Sequence, residues 1–321
     1  MKRAMSQLHW VIVAMFSAGL LWLVIDLGTS QWQRVAVLAA GTPLLVVFSE
    51  AARRAWLEKP SESKVSRPSA RADRLADDLA VGFDLQRRFL PAEQDVHFAG
   101  LHVAGRCVPA RGVSGDTFDF GTLLDDSAML LLADVAGKGI PAAILMAVFH
   151  SSFRSRIALS VELVKIFEGL NAQIHALSGP NRFVTAFCGI FDRRNGSLRF
   201  VNAGHLPPLL CRVGALEELH AGGIPIGIFA NAPYESGETR LEPGDLLVIY
   251  SDGAIEAVNK AGEEFGRERF EKLVLEHAAR PVSEIRDVLF EALEHWNDDF
   301  IQEDDITILV VRREHGDMVQ G

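Results

Sequence analysis

Cysteine is scarce in this sequence, which contains Cys107, Cys188 and Cys211 among its 321 residues. An odd number at these spacings matches neither a zinc-binding module nor a paired redox motif, so a fold held together by disulfides is excluded. Cysteine is also among the residue types most often found in protein interiors. We therefore expect all three side chains to be small apolar groups of a core, in a protein of a reducing compartment.

Positive charge is also in short supply, because 42 acidic residues outnumber 32 basic ones and leave a net charge of −10. A protein that binds nucleic acid mainly by neutralising its phosphates needs the opposite balance, so nucleic acid is not an expected partner. Disorder over the whole length is excluded as well, because 49% of the residues are hydrophobic and 23% are charged. A chain of this length can form about two domains.

Residues 1–59 contain two long apolar runs, at 10–25 and 35–48, and more basic than acidic residues. With its uncharged flanks, each run approaches the ~20 residues that cross a bilayer. Basic residues flank the outer ends of the pair: Lys2, Arg3, Arg53 and Arg54. This pattern predicts a two-helix transmembrane hairpin with both ends in the cytoplasm. A cleaved signal peptide and a buried helical hairpin of a soluble domain are the alternatives, the second because Gly41 and Pro43 weaken the second span.

Residues 60–91 combine a Ser-, Pro- and charge-rich stretch with a helical pattern. The first part predicts a linker. Apolar residues then recur at near-helical spacing until Pro91 ends the pattern: Leu75, Leu79, Phe83 and Leu90. We expect a connecting helix over 71–90, which either packs on the following domain or pairs with its copy in a homodimer.

Residues 92–313 alternate short β-like runs with turns, and helical patterns interrupt them in the middle and near the end. Turn residues at Asp125–Asp126 and at 194–196 predict hairpins, so neighbouring strands are expected to be antiparallel. Strands, then helices, then strands again are typical of an α+β layer fold. Residues 314–321 are expected to form a tail.

Carboxylates stand out at four places where an apolar strand begins or ends. Asp116 follows Ser114–Gly115, Asp134 ends AMLLLADV, Asp252 ends DLLVIYSD, and Asp304–Asp305 begin DITILVV. Each alone is equally typical of a turn or a helix N-cap. If these strand ends converge, their charges need a cation to coexist, and hard oxygen ligands favour magnesium or manganese over zinc.

Taken in order, a series of segments resembles the SpoIIE/RsbU-type branch of the metal-dependent PPM protein phosphatases. The segments are VSGDTFDF, LLLADVAGKGIPAAILMA, RFVTAFCGIFD, LRFVNAGHLPPLL, GGIPIGIF, LEPGDLLVIYSDGAIEAVN, EEFGRERF and DDITILVVRR. The resemblance covers residues 83–313. It implies an α–β–β–α sandwich, in which two antiparallel sheets are flanked by helices and hold two Mn²⁺ or Mg²⁺ ions between them.

The resemblance also implies metal-binding roles for particular residues. Asp134 corresponds to the ligand shared by both metals, with the backbone carbonyl of Val135 beside it. Asp116 corresponds to a ligand of one metal, and Asp252 and Asp304 to ligands of the other. Three further candidates for a direct or water-mediated role are Asp119, Asp305 and Glu256. Sequence alone leaves open which of Asp304 and Asp305 binds directly, and we favour Asp304.

The function implied is hydrolysis of phosphoserine or phosphothreonine by a metal-activated water, without a side-chain nucleophile. We expect a phosphatase tethered to the inner or cytoplasmic membrane, with its catalytic domain in the cytoplasm. Its expected substrate is a phosphorylated regulatory protein, for example an anti-sigma-factor antagonist. The alternative is a catalytically silent signalling scaffold of the same fold, which binds such a partner without hydrolysis. The four carboxylate contexts favour the enzyme.

Overall fold

The computed structural model describes residues 81–91, 94–179, 182–297 and 302–315 of the chain. The predicted membrane hairpin at 1–59 lies outside these ranges, as does most of the predicted linker. Within the described ranges, no helix is both long enough and apolar enough to cross a bilayer. The domain boundaries expected on the N-terminal side therefore stay predictions.

The strands form mainly where apolar and β-branched residues run between turn residues, as their propensities favour. In chain order they are β1 (Asp95–Phe98), β2 (Leu101–Val108), β3 (Thr117–Thr122), β4 (Ala128–Val135), β5 (Val184–Asp192), β6 (Ser197–Ala203), β7 (Leu209–Arg212), β8 (Ala215–Glu218), β9 (Gly222–Gly223), β10 (Gly237–Arg240), β11 (Leu246–Tyr250) and β12 (Ile306–Arg313).

The helices lie between β4 and β5 and between β11 and β12. They are α1 (Ile140–Ile157), α2 (Leu163–Leu177), α3 (Arg267–His277) and α4 (Val282–Asn297). Pro141 stands in the first turn of α1, where its missing N–H costs nothing. A short 3₁₀ turn, Asp252–Ala254, follows β11. Residues 81–87 are also helical and form the described part of the predicted connecting helix.

The strands assemble into two sheets. One has the order β1-β2-β12-β11-β7-β8, and the other has the order β10-β6-β5-β4-β3, with β9 beside β6. All these pairs are antiparallel except β6 with β9, so the predicted antiparallel sheets are confirmed. The apolar segment 96–108 (VHFAGLHVAGRCV) belongs to two strands rather than one, because Ala99 and Gly100 adopt positive φ angles of 50° and 76° and turn the chain.

An apolar layer lies between the two sheets, since side chains alternate between the faces of each strand. Phe118, Leu130 and Leu132 of one sheet and Leu247 and Leu309 of the other belong to this layer. This packing places the two sheets face to face.

The outer face of each sheet is covered by helices. Leu131 and Ala133 of β4 share a second apolar cluster with residues of α1 and α2. Val248 of β11 and Ile308 of β12 share a third cluster with residues of α3 and α4. The sequence of layers is therefore helix, sheet, sheet, helix, as the resemblance implied.

The cysteines are free thiols. Cys188 and Cys211 are buried in the two outer clusters, as expected. Cys107 is only half-buried and packs at the edge of the central layer. The expectation of full burial is therefore wrong for this residue, because β2 ends next to an open cavity.

Candidate metal centre

The topology brings the predicted carboxylates to one end of the sandwich. In one sheet Asp116 comes just before β3 and Asp134 near the end of β4, and Thr117 lies opposite Ala133. In the other sheet Asp252 follows β11 and Asp304 precedes β12, and Tyr250 lies opposite Ile308. Antiparallel pairing thus puts the end of one strand and the start of its neighbour at the same end of the sheet, along the strand direction.

Two glycines allow these strand ends to come close together. A Cβ atom on Gly115 would lie 3.1 Å from the carbonyl oxygen of Val135, so the turn before Asp116 packs directly on that carbonyl. A Cβ on Gly253 would lie 2.1 Å from the carbonyl oxygen of Asp305 and 3.4 Å from the Cβ of Asp304. Each sheet therefore presents its pair of strand ends as one compact unit.

The electrostatics show that carboxylates of both sheets meet. Burial, followed by the charges of Asp134 and Asp305, raises the pKa of Asp116 well above its ordinary value. Burial and the charge of Asp252 raise the pKa of Asp134 to about 7. Burial and the charge of Asp304 also raise the pKa of Asp252. Like charges therefore accumulate in a partly desolvated cleft, and a cation would relieve their repulsion.

The donors fit a hard divalent metal. Asp116 is 2% exposed, and its Oδ2 atom has no hydrogen-bond partner among the described residues. A buried, unpartnered carboxylate oxygen is costly unless something positive approaches it. The oxygens of Asp134, Asp252 and Asp304 and the carbonyl of Val135 complete a donor set of the kind that magnesium and manganese prefer.

The carboxylates are nevertheless not gathered round a common point. Among the described residues, no group of three or more His, Cys, Asp or Glu side chains stands ready to hold a metal. The side chain of Asp304 is drawn aside, since its Oδ2 lies 2.9 Å from Nζ of Lys138. Lys138 also donates to the carbonyl of Glu303 at 2.7 Å. This lysine thus bridges the two sheets and neutralises part of the acidic cleft.

Asp305 has a different environment from Asp304. Its two carboxylate oxygens accept hydrogen bonds from the backbone N–H groups of Ala110, at 2.8 Å, and Gly115, at 2.6 Å. It is 8% exposed. Asp305 therefore anchors the 110–115 loop, whereas the Asp304 carboxylate pairs with Lys138 and accepts only a local hydrogen bond, from the N–H of Asp305 at 2.9 Å. This difference favours Asp304 as the direct ligand.

Asp119 does not join the other carboxylates. It lies opposite Leu131 of β4, so its side chain faces α1 rather than the layer between the sheets. There it is fully buried, forms an ion pair with Arg154 and lies 3.1 Å from Nε2 of His150. The predicted role as a water-mediated ligand is therefore corrected: Asp119 holds α1 on the sheet.

Glu256 lies at the edge of the site. Its backbone N–H donates to the carbonyl of Asp252 at 2.9 Å, at the end of the 3₁₀ turn. Burial, followed by the charge of Asp252, raises the pKa of the Glu256 carboxyl. The side chain is exposed, so it adds negative charge to the mouth of the cleft.

Sequence reasoning missed Gln86 of the connecting helix. Its side-chain amide donates to the carbonyl of Ser114 at 2.5 Å and accepts from the N–H of the same residue at 2.9 Å. The hydroxyl of Ser114 in turn accepts from the N–H of Asp116 at 3.0 Å. The connecting helix thus holds the backbone that carries Asp116. A glutamine in a weak helical stripe gives no signal of this contact, because the contact depends on tertiary packing.

A cavity of about 590 Å³ lies beneath this helix. Its walls include Phe83, Gln86, Cys107, Arg286 and Asp116. Asp116 therefore borders both the acidic cleft and the space under the helix. A movement of the helix would change the surroundings of this carboxylate directly.

Comparisons with known proteins agree with this geometry. The family described as Stage II sporulation protein E (SpoIIE) matches residues 125–314. The chain is 28% identical over 215 residues to the phosphoserine phosphatase RsbU of Bacillus subtilis, which covers 66% of this chain and 63% of RsbU. It is 29% identical over 266 residues to protein IcfG of Synechocystis sp., which covers 74% of this chain and 41% of IcfG. The matches thus span less than two thirds of each relative.

Solved structures show the same fold. The SiaA-PP2C domain of Pseudomonas aeruginosa superposes with a TM-score of 0.66 at 22% identity, over 76% of this chain and 99% of that domain. A Mycobacterium tuberculosis structure of RsbU and RsbW domains gives a TM-score of 0.59 at 27% identity, over 68% of this chain and 61% of the other.

Proposed function

The chain belongs to the SpoIIE family, and from that membership we propose that it is a metal-dependent protein phosphatase acting on phosphoserine or phosphothreonine. The observation that carries the proposal is the meeting of carboxylates from both sheets, with an unpartnered buried oxygen on Asp116 and raised pKa values for Asp116, Asp134 and Asp252. A silent scaffold would have no need to keep so costly a cluster.

The chain's own residues would divide the work as follows. Asp134, Asp116, Asp252, Asp304 and the Val135 carbonyl would hold two Mn²⁺ or Mg²⁺ ions. Bound there, the ions would lower the pKa of a water so that it could act as the nucleophile towards a phosphoester at neutral pH, and they would supply positive charge for the phosphoryl oxygens. Asp305 keeps the 110–115 loop against the start of β12. Lys138 limits the repulsion between Asp304 and the other carboxylates. No side-chain nucleophile is required.

The substrate we propose is a phosphorylated regulatory protein, such as an anti-sigma-factor antagonist. Support comes from the similarity to RsbU and to RsbP of Bacillus subtilis, both named phosphoserine phosphatases. The apolar runs in residues 1–59 support a tether to the cytoplasmic membrane, with the catalytic domain in the cytoplasm. A homodimer formed through the connecting helix stays a proposal for the part of the 71–90 pattern before Phe83, because Phe83 packs against Gly112 and Leu90 against the central layer of the same chain.

The test is hydrolysis of p-nitrophenyl phosphate and of a phosphoserine peptide by the full-length chain in detergent. We expect turnover with added Mn²⁺ or Mg²⁺, none in excess chelator, and recovery when the metal is returned. Full turnover in the presence of chelator would overturn the proposed chemistry. Binding of phosphoprotein without any turnover in saturating Mn²⁺ would favour the silent scaffold.

A further inference from the structure

Large apolar side chains are exposed together at the end of the sandwich that carries the carboxylates. We call this group the apolar rim: Ile140, Ile144, Leu177, Ile224, Ile228 and Phe229. Ile144 and Leu177 are each 61% exposed, and Phe229 is 63% exposed. Single exposed apolar residues need no explanation, but several around one cleft are typical of a binding surface.

Topology places these residues next to the metal centre. Val135 ends β4 opposite Val184, which begins β5. Ile226 continues this edge, since its backbone exchanges both hydrogen bonds with that of Val184, at 2.8 and 2.9 Å. Helix α1 begins shortly after β4 ends, and α2 ends shortly before β5 begins. The starts and ends that carry the rim are therefore all at the end of the sheet where Asp134 lies.

The exposed loop of the rim is held in place. Asn171 of α2 is 1% exposed, and its side chain hydrogen-bonds to the backbone of the 227–230 loop. Its amide nitrogen donates to the carbonyls of Phe229, at 2.8 Å, and Ala230, at 3.1 Å, while its oxygen accepts from the N–H of Gly227 at 2.8 Å. Phe229 is therefore presented to solvent on a fixed backbone, so it would lose little entropy on binding.

Buried and exposed isoleucines alternate within the 224–228 segment. Ile226 is fully buried and fills the outer cluster, whereas Ile224 and Ile228 on either side are 37% and 39% exposed. The core needs only the buried one. The two outward isoleucines and Phe229 add apolar surface at the cleft without adding to the packing beneath it.

The overall charge of the chain does not favour an acidic partner. Its net charge is −10, so long-range attraction by the protein as a whole would not draw in a phosphorylated protein. Lys138 at the cleft is already paired with Asp304. Bound metal ions would attract the phosphate itself, and close apolar contact beside them is a source of affinity for the rest of the substrate, because buried aromatic anchors supply most of the energy in such interfaces.

We propose that the apolar rim binds the residues that flank the phosphoserine or phosphothreonine of the substrate protein, and so selects sites with apolar neighbours. The inference rests on the proposed function, because the rim lies on elements that start or end at the end of the sheet where Asp134 lies. The occupant is the substrate rather than a second copy of the chain.

The test uses two short phosphoserine peptides that differ only next to the phosphoserine, with leucine on both sides or serine on both sides. For the full-length chain in Mn²⁺ we expect kcat/KM to be about tenfold higher for the leucine peptide, the range of one anchor residue. Phe229→Ser and Ile144→Ser should each bring that ratio close to one. Phe229→Leu should keep most of it, which separates lost contact from lost folding.

Two exposed leucines at the opposite end of the sandwich provide matched controls. Leu124, in the β3–β4 turn, is 96% exposed, and Leu159, beyond the end of α1, is 89% exposed. Leu124→Ser and Leu159→Ser should keep the wild-type ratio. A wild-type ratio of about one, or an unchanged ratio in the Phe229→Ser and Ile144→Ser variants, would overturn the proposal.

Two further outcomes would show that the rim is a dimer interface or that the proposed function is wrong. If the serine variants keep the peptide preference but convert a dimer to a monomer in sedimentation, the rim joins two copies of the chain and the proposal is wrong. If the wild-type chain hydrolyses neither peptide nor p-nitrophenyl phosphate in Mn²⁺, the proposed function fails first, and the rim proposal falls with it.

Discussion

A single carboxylate at this site is informative because of what surrounds it. Asp134 has the charges of Asp252, Asp304 and Asp305 in its environment, and burial alone already raises its pKa. In a protein without a cation there, replacing one such acid with a neutral group relieves repulsion. With a cation, the same replacement removes a ligand. The two effects can be measured separately.

We expect Asp134→Asn to lower kcat/KM by at least about 100-fold, since a ligand to both metals is lost. In chelator, the same variant should unfold at the same temperature as the wild-type chain or a higher one. Asp192→Asn, in the other end of the same sheet, is the control and should change turnover little. Wild-type turnover in Asp134→Asn would show that the metal assignment is wrong.

Asp304 and Asp305 are adjacent in sequence, but we expect their replacement to affect different properties, metal binding for Asp304 and stability for Asp305. Asp305→Asn should lower the free energy of unfolding by about 1–3 kcal/mol, because an amide cannot accept from both Ala110 and Gly115 without turning its NH₂ towards one N–H. Asp304→Asn should leave stability nearly unchanged and weaken Mn²⁺ binding. Urea unfolding in chelator, with Mn²⁺ titration calorimetry, distinguishes them. If Asp305→Asn is the variant that loses metal while staying stable, the two roles are exchanged.

At this scale the sequence predicts which carboxylates meet, but not what each one touches. Apolar strands that end in Asp identify Asp134 and Asp252, because a strand end fixes where its last side chain lies. Asp119 could have been set apart from Asp116 by alternation, since an odd spacing in a strand reverses the face. Lys138 and Gln86 could not have been placed, because their partners lie far away in the chain.

Among the elements, the connecting helix has the most direct route to the metal centre. Gln86 makes two hydrogen bonds to the backbone of Ser114, and Phe83 packs against Gly112, whose Cβ would lie 2.5 Å from its ring. Phe89 meets the ring of His150 edge-on at 5.6 Å, and His150 lies beside Asp119. The helix contacts the loop before Asp116, and the turn that follows the helix, which carries Phe89, contacts helix α1.

We expect Gln86→Ala to raise the Mn²⁺ concentration that gives half-maximal turnover by about tenfold, as the loss of a residue that supports a metal ligand does. The physical reason is that the Ser114 backbone loses its two bonds to the helix, and Asp116 is held less firmly. Mn²⁺ titration of turnover and of calorimetric heat measures the shift.

Arg88→Ala is the control for that change, because Arg88 is an exposed neighbour that pairs only with Asp84 in the described chain. It should leave the Mn²⁺ dependence as in the wild type. A Gln86→Ala variant that loses stability but binds Mn²⁺ normally would make the contact merely structural. The helix would then be a tether and not a route to the site.

Many of the elements could be predicted from periodicity, and the exceptions are short strands. Helices α3 and α4 lie near the end of the domain, where helical patterns were expected. The four short strands β7 to β10 were not predicted, and two of them, GG and GETR, carry no apolar alternation. Strands β9 and β10 exist because the side of β6 that β5 leaves free offers backbone partners to both, which is a tertiary effect.

At the scale of the whole molecule, the site is a product of two sheets. Neither sheet alone brings more than two of the four predicted carboxylate ligands to its end, and the cleft forms only when the central layer packs the sheets face to face. Local sequence predicts each edge, but the meeting of the edges depends on the global arrangement. The resemblance supplied that arrangement in advance.

The apolar runs of residues 1–59 bear on where in the cell the molecule works. The apolar runs at 10–25 and 35–48 have basic outer flanks and a short polar link between them, which predicts two crossings with both ends inside the cell. A phosphatase held by so short an external link would receive its signal through helix packing or a cytoplasmic partner.

We therefore expect the full-length chain to sediment with membranes and to be released by detergent but not by high salt. Reporter domains inserted within the 26–33 link and after Glu58 should lie on opposite sides of the membrane. An uncleaved N-terminus, read by mass spectrometry, would rule out a signal peptide. A chain that is monodisperse without detergent would refute the hairpin, because two exposed runs of this length would aggregate in water. The phosphatase chemistry would then stand without its anchor, since the predicted metal ligands all lie between positions 116 and 304 of the sequence.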